Sequence, residues 1–346
     1  MIYFNSDYLE GAHPSIMVKM AETNMVQTVG YGEDEYCEAA REKIKAACQA
    51  PEADVHFLVG GTQTNTTVIA AILRPWQGVI AAVSGHINCH EAGAIESTGH
   101  KVITLPTDNG KITAQQVADY VEWHKNDEST EHIVQPGMVY ISHPTEAGTL
   151  YTKAELTELY DTCRRYGLPL YIDGARLGYG LAAEESDMTL PEFARLCDVF
   201  YIGGTKVGAL FGEAVVIMNE SLKKDFRFIM KQRGGRLAKG RLLGIQFDAL
   251  FTDDLYFKIS RHAIEMAHQI RDIFVSAGYP LLFDSPTNQQ YPIMPDAELA
   301  EIGKSFGYEY WERVDETHSG VRFCASWATT QENVDALREA VNALKK

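Results

Sequence analysis

The chain has 346 residues, 45% of them hydrophobic, which is enough to bury the core of one large domain and a smaller one. Its formal net charge is −16, with 47 acidic residues against 31 basic ones, and this excess argues against nucleic acids and membranes as partners. No apolar run approaches the ~20 residues that span a bilayer, the first residues lack the pattern of a signal peptide, and the six cysteines are scattered. We therefore expect a cytoplasmic protein with reduced thiols.

Short apolar runs, often β-branched, alternate with helix-like stretches along the first part of the chain. Continuous apolar runs predict strands buried on both faces of a sheet. Strands that alternate with helices predict a doubly wound, mostly parallel α/β sheet. The seven predicted strands cover residues 55–59, 79–83, 101–105, 138–142, 168–173, 198–202 and 213–218. Too few residues separate the last two strands for a crossover helix, so we expect the last strand to be antiparallel to its predecessor.

Helix signals lie between these strands and after them. Thr152 and Glu155 form a capping-box pattern at the start of a helix over residues 153–166, which Gly167 then ends. After residue 220 the pattern changes to a long helical stretch, roughly residues 237–277, followed by a short α+β tail and a final helix. We predict a large α/β domain over residues 1–245, with the N-terminal segment, and a small C-terminal α+β domain over residues 246–346.

Polar residues follow three of the predicted strands, where open α/β sheets bind their ligands. Gly61 and Thr62 lie in a glycine-rich turn that enters a helix, which suits an anion such as phosphate, although an ordinary strand-to-helix turn looks the same. Asp173 ends the fifth strand, as a site carboxylate or as a helix N-cap. Lys206 follows the sixth strand in a loop of small residues, where partial burial lowers the pKa of an amine and makes it a nucleophile; the alternative is a solvated surface charge.

The three features together are more specific than any one of them. A phosphate cradle, a carboxylate and a lysine at neighbouring strand ends are what pyridoxal 5'-phosphate requires. A metal site is not expected, because His86 and His90 lack the glutamate of the H-E-x-x-H pattern.

Motifs along nearly the whole chain resemble the threonine aldolase and β-eliminating lyase family, pyridoxal-phosphate enzymes of the aspartate-aminotransferase fold (fold type I). Within that family the sequence is most similar to low-specificity L-threonine aldolases and phenylserine aldolases. The resemblance rests on residues 5–7, 31–33, 61–62, 85–88, 91–93, 145–149, 173–176, 205–206 and 321–323.

The resemblance implies cofactor-binding residues. Lys206 is implied to bond covalently to pyridoxal 5'-phosphate, and Asp173 to pair with its pyridine nitrogen. Gly61 and Thr62 are implied to hold its phosphate, with Thr205 as a further candidate.

The resemblance also implies residues near the substrate. His86 is implied to stack on the pyridine ring and to assist catalysis, although the alternative is a satisfied core histidine. Arg322 is implied to bind the substrate carboxylate, with Ser6 nearby, while Arg176 is implied to serve both substrate and cofactor. Because apolar residues flank Arg322, it could instead face solvent from an edge strand.

One motif departs from the family pattern. Many threonine aldolases have Asn-Thr-His after the fourth strand, whereas this chain has Ser142-His143-Pro144-Thr145-Glu146. His86, Glu146 and His143 therefore all remain candidates for the group that takes the proton of the substrate β-hydroxyl.

The resemblance implies cleavage of β-hydroxy-α-amino acids such as L-threonine, L-allo-threonine or phenylserine to glycine and an aldehyde. The alternatives on the same scaffold are a β-eliminating lyase or an aminotransferase; a non-catalytic member of the fold and a protein that binds another phosphate ligand are further rivals.

The resemblance also implies a homodimer or homotetramer with active sites at the subunit interface, to which Tyr31 or residues 231–239 of a neighbouring subunit contribute.

Overall fold

The computed structural model describes residues 1–345, and its secondary structure alternates as the apolar pattern predicts. None of the helices within that range is both long and apolar enough to cross a membrane. The helices are α1 Pro14–Thr23, α2 Glu35–Cys48, α3 Gly61–Ile72, α4 His86–Cys89, α5 Ala114–Asn126, α6 Lys153–Tyr166, α7 Leu177–Ala182, α8 Leu190–Ala194, α9 Phe226–Gln232, α10 Arg241–Leu250, α11 Leu255–Ser276, α12 Asp296–Ile302 and α13 Gln331–Ala343. The strands are β1 Ile2–Tyr3, β2 Asp54–Leu58, β3 Gln77–Ala82, β4 Val102–Leu105, β5 Gln135–Ser142, β6 Leu170–Asp173, β7 Val199–Gly203, β8 Glu213–Ile217, β9 Gln289–Gln290, β10 Ile293–Pro295, β11 Phe306–Gly307, β12 Glu309–Arg313 and β13 His318–Cys324.

A seven-stranded sheet forms the centre of the molecule, with strand order β2-β8-β7-β6-β5-β3-β4. All seven predicted strands belong to it. The neighbours from β4 to β7 pair in parallel, whereas β8 is antiparallel to both β2 and β7. The prediction of a mostly parallel sheet with an antiparallel last strand is therefore confirmed. Because the parallel strands all end at one edge, the polar residues that follow them are brought together there.

The connection between β7 and β8 is a tight loop rather than a crossover helix. The backbone N–H groups of Gly204 and Thr205 both donate to the carbonyl oxygen of Gly212, at 3.0 and 3.1 Å. Gly212 has a φ of 120°, a left-handed value that L side chains rarely adopt. This loop carries Lys206 at a fixed position beside the end of β7.

Helix α6 begins and ends where its sequence signals predict. The Thr152 side chain accepts a hydrogen bond from the Glu155 backbone N–H, and the Glu155 side chain accepts one from the Thr152 N–H, so the capping box is formed. Gly167 ends the helix in the left-handed conformation with a φ of 68°. The prediction of this helix is confirmed.

The long helix predicted near residues 237–277 is two helices, α10 and α11, so the prediction of one continuous helix was wrong. Asp253 and Asp254 have φ values of 52° and 61°, which a right-handed helix cannot contain. Aspartate tolerates this conformation better than most residues, so the chain breaks here without a glycine. The break lets α10 lie buried against the large sheet while α11 leads away from it.

The C-terminal region has its own strands, with β13 between β12 on one side and β9 and β10 on the other. Two apolar clusters pack on the large sheet, and one of them extends to Ile264 of helix α11. A third cluster contains Phe4 and includes Met266 and later residues of the same helix. The division at residue 245/246 stays a prediction. Strand β1 pairs with β11, so the first residues of the chain pack on the C-terminal region.

Candidate active site

A cavity of about 470 Å³ opens at the carboxyl-terminal edge of the large sheet. Its walls come from the segments that follow β2, β3, β5, β6 and β7, from the start of β8, and from β12 and β13 of the C-terminal region. Eight residues predicted from the sequence line it: Gly61, Thr62, His86, Asp173, Arg176, Thr205, Lys206 and Arg322. Ser6, which was also predicted, does not line the cavity. It is buried two residues before the cavity residue Tyr8, and its Oγ has no hydrogen-bond partner in residues 1–345.

Asp173 ends β6 on the floor of the cavity and is almost fully buried. Its Oδ2 accepts hydrogen bonds from Tyr140 Oη at 2.7 Å and Asn65 Nδ2 at 3.1 Å. Its Oδ1 accepts from Tyr201 Oη and from the Ala175 backbone N–H. Burial alone would raise the pKa of Asp173, but the nearby imidazole and these donors outweigh it, so the pKa lies below its usual value. The carboxylate is therefore held ionised in a buried place.

A chain of hydrogen bonds joins Asp173 to the histidine on the cavity wall. Asn65 Nδ2 also donates to Glu91 Oε1 at 2.8 Å, and the same oxygen lies 3.0 Å from His86 Nδ1. Burial lowers the pKa of His86, but the hydrogen bond with Glu91 and the charge of Asp173 raise it, and the net shift is upward. The Asn65 amide thus positions the carboxylates of Glu91 and Asp173, and Glu91 positions the imidazole ring.

Lys206 reaches the cavity from the loop between β7 and β8. Burial and the positive charge of Arg176 lower the pKa of its amine, against the opposing effect of Asp7, Asp173 and Glu213. A lower pKa increases the fraction of neutral amine, which is the nucleophilic form.

The start of β8 holds the base of this loop. Glu213 accepts hydrogen bonds from the Gly204 N–H at 2.9 Å and from Thr205 Oγ1 at 2.7 Å. Thr205 Oγ1 in turn accepts from the Gly212 N–H at 3.0 Å. Burial raises the pKa of Glu213, so this carboxyl is protonated more often than an exposed glutamate. Its negative charge therefore stabilises the positive charge of the lysine beside it less. Thr205 therefore has a structural partner in addition to lining the cavity.

The turn after β2 presents a helix start to the cavity. Gly60 is the N-cap of α3, and no side chain caps this helix. The N–H groups of the first helical turn have no carbonyl acceptor within their own helix, so the N–H groups of Gly61 and Thr62 can donate to an anion. At Gly61 a Cβ would lie 3.3 Å from Tyr201 Oη, so a side chain there would crowd the floor of the cavity.

Two arginines line the cavity, and each already has an acidic partner. Arg176 Nε donates to Asp7 Oδ2 at 2.6 Å and its Nη2 to Asp7 Oδ1 at 3.0 Å, and Asn288 Nδ2 also donates to Asp7. Although burial opposes it, the charge of Arg176 and these hydrogen bonds lower the pKa of Asp7 to about 2. The ion pair uses two of the guanidinium nitrogens of Arg176, and its Nη1 makes no hydrogen bond within the described residues.

Arg322 projects from β13 at the opposite side of the cavity. It donates to Gln289 Oε1 and to the Asn5 carbonyl oxygen, both at 3.1 Å, and it forms an ion pair with Glu309. Its guanidinium lies 5.7 Å from the centre of the Trp311 ring. Strand β13 has neighbours on both sides, so the alternative of a solvent-facing residue on an edge strand was wrong. Glu309 itself is exposed at the rim.

The segment after β5 places its two candidate bases on opposite sides of the sheet. Glu146 lines the cavity, and its Oε1 accepts hydrogen bonds from Ser142 Oγ at 2.6 Å and the His86 backbone N–H at 3.0 Å. His143 is only 1% exposed and packs 5.1 Å from the Phe193 ring in the core beneath the sheet. His143 therefore lies outside the cavity.

The chain is similar to known proteins over nearly its whole length. A family model described as beta-eliminating lyase matches residues 4–339. The chain belongs to the beta-eliminating lyase family. Among solved structures, threonine aldolase of Leishmania major is 42% identical, with a TM-score of 0.97 and 100% of both chains covered. A low specificity L-threonine aldolase of Pseudomonas aeruginosa is 28% identical over 337 residues, which is 96% of this chain and 95% of that protein.

The resemblance to the threonine aldolase and beta-eliminating lyase family is thus confirmed over the full length of the described chain. More distant structures agree on architecture: an aspartate aminotransferase of Thermus thermophilus superposes with a TM-score of 0.72 at 14% identity, covering 99% of this chain and 91% of that one. Identity this low shows the fold alone. The prediction of an aspartate-aminotransferase-like fold for this beta-eliminating lyase family member is confirmed.

Several residues of this site were not found from the sequence. Tyr140, Tyr201 and Glu213 lie in segments that the sequence pattern marks only as buried strands. Asn65 follows the glycine-rich turn and Glu91 lies within a quoted motif, and neither was assigned a role. A signal existed for the tyrosines, because each lies near the carboxyl end of a strand beside the one that delivers Asp173. For Glu213, the signal was an acidic residue at the start of an otherwise apolar strand.

Proposed function

We propose that the protein uses pyridoxal 5'-phosphate to cleave β-hydroxy-α-amino acids to glycine and an aldehyde, as an aldehyde-lyase of the low-specificity L-threonine aldolase type. The observation that carries this proposal is that Lys206 and Asp173 enter one cavity from neighbouring strands, in a chain of the beta-eliminating lyase family. The full-length similarity to threonine aldolases supports this choice of reaction within the family.

The cavity residues suit the cofactor in charge and shape. Lys206 supplies an amine of lowered pKa for the covalent link, and Asp173 supplies a buried, ionised carboxylate for a protonated pyridine nitrogen. The uncapped start of α3, at Gly61 and Thr62, supplies N–H donors for the phosphate, with Thr205 Oγ1 beside the lysine. When bound, pyridoxal phosphate supplies an electron sink next to the substrate Cα.

The remaining residues of the proposal orient the ring and the substrate. His86 is held by Glu91 on the cavity wall, and this position supports assigning its ring to stack on the cofactor. Arg322 is assigned to the substrate carboxylate, because its planar guanidinium can bind a carboxylate through two parallel hydrogen bonds. Arg176 is assigned to assist through its Nη1, whereas Ser6, which was predicted to bind the substrate, does not line the cavity and is given no contact with it. Fixing the carboxylate sets which bond at Cα lies perpendicular to the ring.

The test of the proposed function is product analysis with the purified, cofactor-loaded protein. L-threonine, L-allo-threonine and phenylserine are incubated separately, and glycine and the matching aldehyde are measured. Equal amounts of glycine and aldehyde are the expected result. Ammonia with a keto acid would instead identify a β-eliminating lyase. In parallel incubations with an added keto acid, transfer of the amino group to that acid would identify an aminotransferase. No glycine or aldehyde from any of the three amino acids would refute the proposal.

We expect Arg322→Lys to lower kcat/KM by about ten- to a hundredfold, mainly through a higher KM, while cofactor affinity stays unchanged. Lysine keeps the positive charge but cannot bind a carboxylate through two parallel donors. A hydrogen bond to a charged group contributes roughly 1.5–3 kcal/mol, which sets the size of the expected loss. Steady-state kinetics and a cofactor titration measure the two quantities.

Glu309→Gln is the matched control for this arginine. It removes the carboxylate that occupies Arg322 at the rim, so the KM is expected to stay equal or to fall. If Arg322→Lys leaves kcat/KM unchanged but disturbs the cofactor spectrum, the arginine belongs to the cofactor and the substrate carboxylate is held by another group, most simply Arg176.

The proposal includes a homodimer or homotetramer whose active sites lie at the subunit interface. Segment 24–31 packs on segment 227–241, and together they leave Met25 88%, Phe228 75% and Val29 66% exposed. Tyr31 belongs to this surface, and Lys231 Nζ lies 4.7 Å from the centre of its ring. Tyr31 does not line the active-site cavity of its own chain. Three exposed apolar side chains on segments that also carry basic residues support contact with a second copy that receives Tyr31 or residues 231–239.

Sedimentation is expected to show a dimer or larger species at assay concentration. Phe228→Glu would bury a charge in the interface, so this variant is expected to dissociate toward monomer and to lose activity. Val275→Glu is the control, since Val275 is 51% exposed on α11, away from this surface. A fully active monomer would contradict the proposal.

A cytoplasmic location is also part of the proposal, and the free thiols of all six cysteines support it.

A further inference from the structure

Three carboxylates of the cavity are not used by the proposed cofactor contacts. Glu213 holds the loop of Lys206 and Glu309 pairs with Arg322, which leaves Glu146. Its Oε1 accepts two hydrogen bonds, from Ser142 Oγ and the His86 backbone N–H. Its Oε2 accepts none from any other residue within 1–345 and is not among their fully enclosed, unpaired atoms, so this oxygen is open to the cavity. A carboxylate with one oxygen fixed and the other free is arranged to accept a proton from a bound molecule.

The backbone of the same segment is held in place. Tyr291 Oη donates to the Glu146 carbonyl oxygen at 2.6 Å, which ties the segment to the C-terminal region. Gly148 has a φ of 78°, and a Cβ there would lie 2.1 Å from Ser285 Oγ, so the turn that follows Glu146 admits only glycine. Glu146 is therefore a positioned side chain on a rigid turn rather than a mobile surface acid.

The strand alternation explains why Glu146, and not His143, faces the cavity. Side chains of a strand alternate between its two faces. Tyr140 and Ser142 of β5 point to the side of Asp173 and Glu146, as their hydrogen bonds show. His143 follows on the other face, where both ring nitrogens are buried without a partner and burial lowers the pKa to about 4.

His86, the third candidate, is already engaged. Its Nδ1 is bonded to Glu91, and its pKa is raised despite burial, so a larger fraction of the ring is already protonated and has no free nitrogen to accept a proton. Burial raises the pKa of Glu146 as well, but for a carboxyl group that shift moves it toward neutral pH, where a general base is most effective.

We propose that Glu146 accepts the proton of the substrate β-hydroxyl through its free Oε2. This inference rests on the proposed function. The substrate O–H bond breaks and its proton moves to Glu146. The electron pair of that bond forms the carbonyl of the aldehyde, the Cα–Cβ bond breaks, and its electron pair remains with Cα, which afterwards takes up a proton to become glycine. Glu146 then returns its proton to solvent.

The test is Glu146→Gln in the cofactor-loaded protein, because glutamine keeps an oxygen acceptor for Ser142 and the His86 N–H but is not basic. Cleavage of L-threonine is expected to fall by about 10²- to 10⁴-fold in kcat, the range for loss of a general base. Exchange of the glycine Cα hydrogen for deuterium, followed by NMR, is expected to stay at the wild-type rate, because glycine has no β-hydroxyl. Cofactor affinity, measured by titration of the cofactor-free protein, is expected to be unchanged.

The pH profile gives a second readout. The titratable groups that face Glu146 are His86, Asp173, Tyr140, Tyr151 and Tyr291. A general base must be deprotonated, so wild-type kcat rises as the pH rises through the pKa of Glu146, and Glu146→Gln is expected to lose this acid limb. Ser142→Ala removes a donor that lowers the pKa of Glu146, so it is expected to move the limb to higher pH.

The outcomes separate the inference from the proposed function. A wild-type protein that releases no glycine or aldehyde refutes the proposed function, and the inference with it. An active wild-type with an equally active Glu146→Gln variant overturns the inference alone, as does a variant in which cleavage and glycine exchange fall together, since that pattern indicates a role in folding or cofactor binding. His143→Phe, the control inside the core, is expected to keep kcat; a loss of the acid limb in that variant would assign the base to His143. If Glu146→Gln fails to fold, the shift in Ser142→Ala decides, and an unmoved limb overturns the inference.

Discussion

Lys206→Ala is expected to abolish the covalent link to the cofactor and to lower turnover by on the order of 10⁴-fold or more, as removal of a covalent nucleophile does. The fold is expected to survive, because the contact that anchors this residue uses its backbone. The carbonyl oxygen of Lys206 accepts a hydrogen bond from Tyr179 Oη at 2.5 Å, and alanine keeps that carbonyl. Borohydride reduction followed by peptide mass spectrometry measures the link, and circular dichroism measures the fold.

Lys206→Arg is the matched control, since it keeps a positive charge near Asp7, Asp173 and Glu213 but has no nucleophilic amine. It is expected to be as inactive as the alanine variant. Cofactor trapped on the same peptide in Lys206→Ala would show that another group carries it, and high activity in Lys206→Arg would show that only charge is needed.

Asp173→Asn is expected to have the next largest effect, on both activity and stability. Losing the charged partner of the pyridine nitrogen removes a hydrogen bond of about 1.5–3 kcal/mol, so kcat is expected to fall by about ten- to a hundredfold or more. Stability falls because asparagine has only one acceptor oxygen, whereas both oxygens of Asp173 accept two donors each. Its amide would face either the Asn65 amide or the Ala175 N–H, neither of which can accept, at a cost of about 1–3 kcal/mol. Steady-state kinetics and thermal unfolding measure the two effects.

Asp198→Asn is the control for this variant, because Asp198 is also a buried, hydrogen-bonded aspartate of the large sheet. It accepts from the Leu170 N–H at 2.8 Å and Asn219 Nδ2 at 2.7 Å, and it does not line the cavity. It is expected to lose stability without a change in kcat or cofactor affinity. If Asp173→Asn behaves in the same way as Asp198→Asn, its carboxylate serves the fold and not the chemistry.

The large sheet could be predicted because its signals are local. Each strand is a short, continuous apolar run, and the short segment between β7 and β8 excludes a crossover and so fixes the last strand as antiparallel. The same reasoning places Asp173 and Lys206 at one edge, since parallel strands deliver their following residues to the same side.

Other features depend on contacts between distant residues and leave little trace in the sequence. Tyrosine counts as a strand former, so the pattern could not separate Tyr140 and Tyr201, whose hydroxyls bind Asp173, from the tyrosines of the core. The end of the helix before Asp253 has no glycine or proline to mark it. The pairing of Arg176 with Asp7 joins residues 169 positions apart, and no periodicity predicts it.

The arrangement of residues 2–7 has a consequence for synthesis on the ribosome. These residues are made before the rest of the described chain, yet Ile2 pairs with Phe306, the Phe4 carbonyl accepts from the Cys324 N–H, and the Asn5 carbonyl accepts from Arg322, 317 positions later. Asp7, the partner of a buried arginine in the cavity, belongs to the same stretch. The sheet can therefore form while translation continues, but the cavity cannot be completed until residues 306–324 have left the exit tunnel. A nascent chain stalled before residue 306 is expected to hold a folded sheet without a finished pocket.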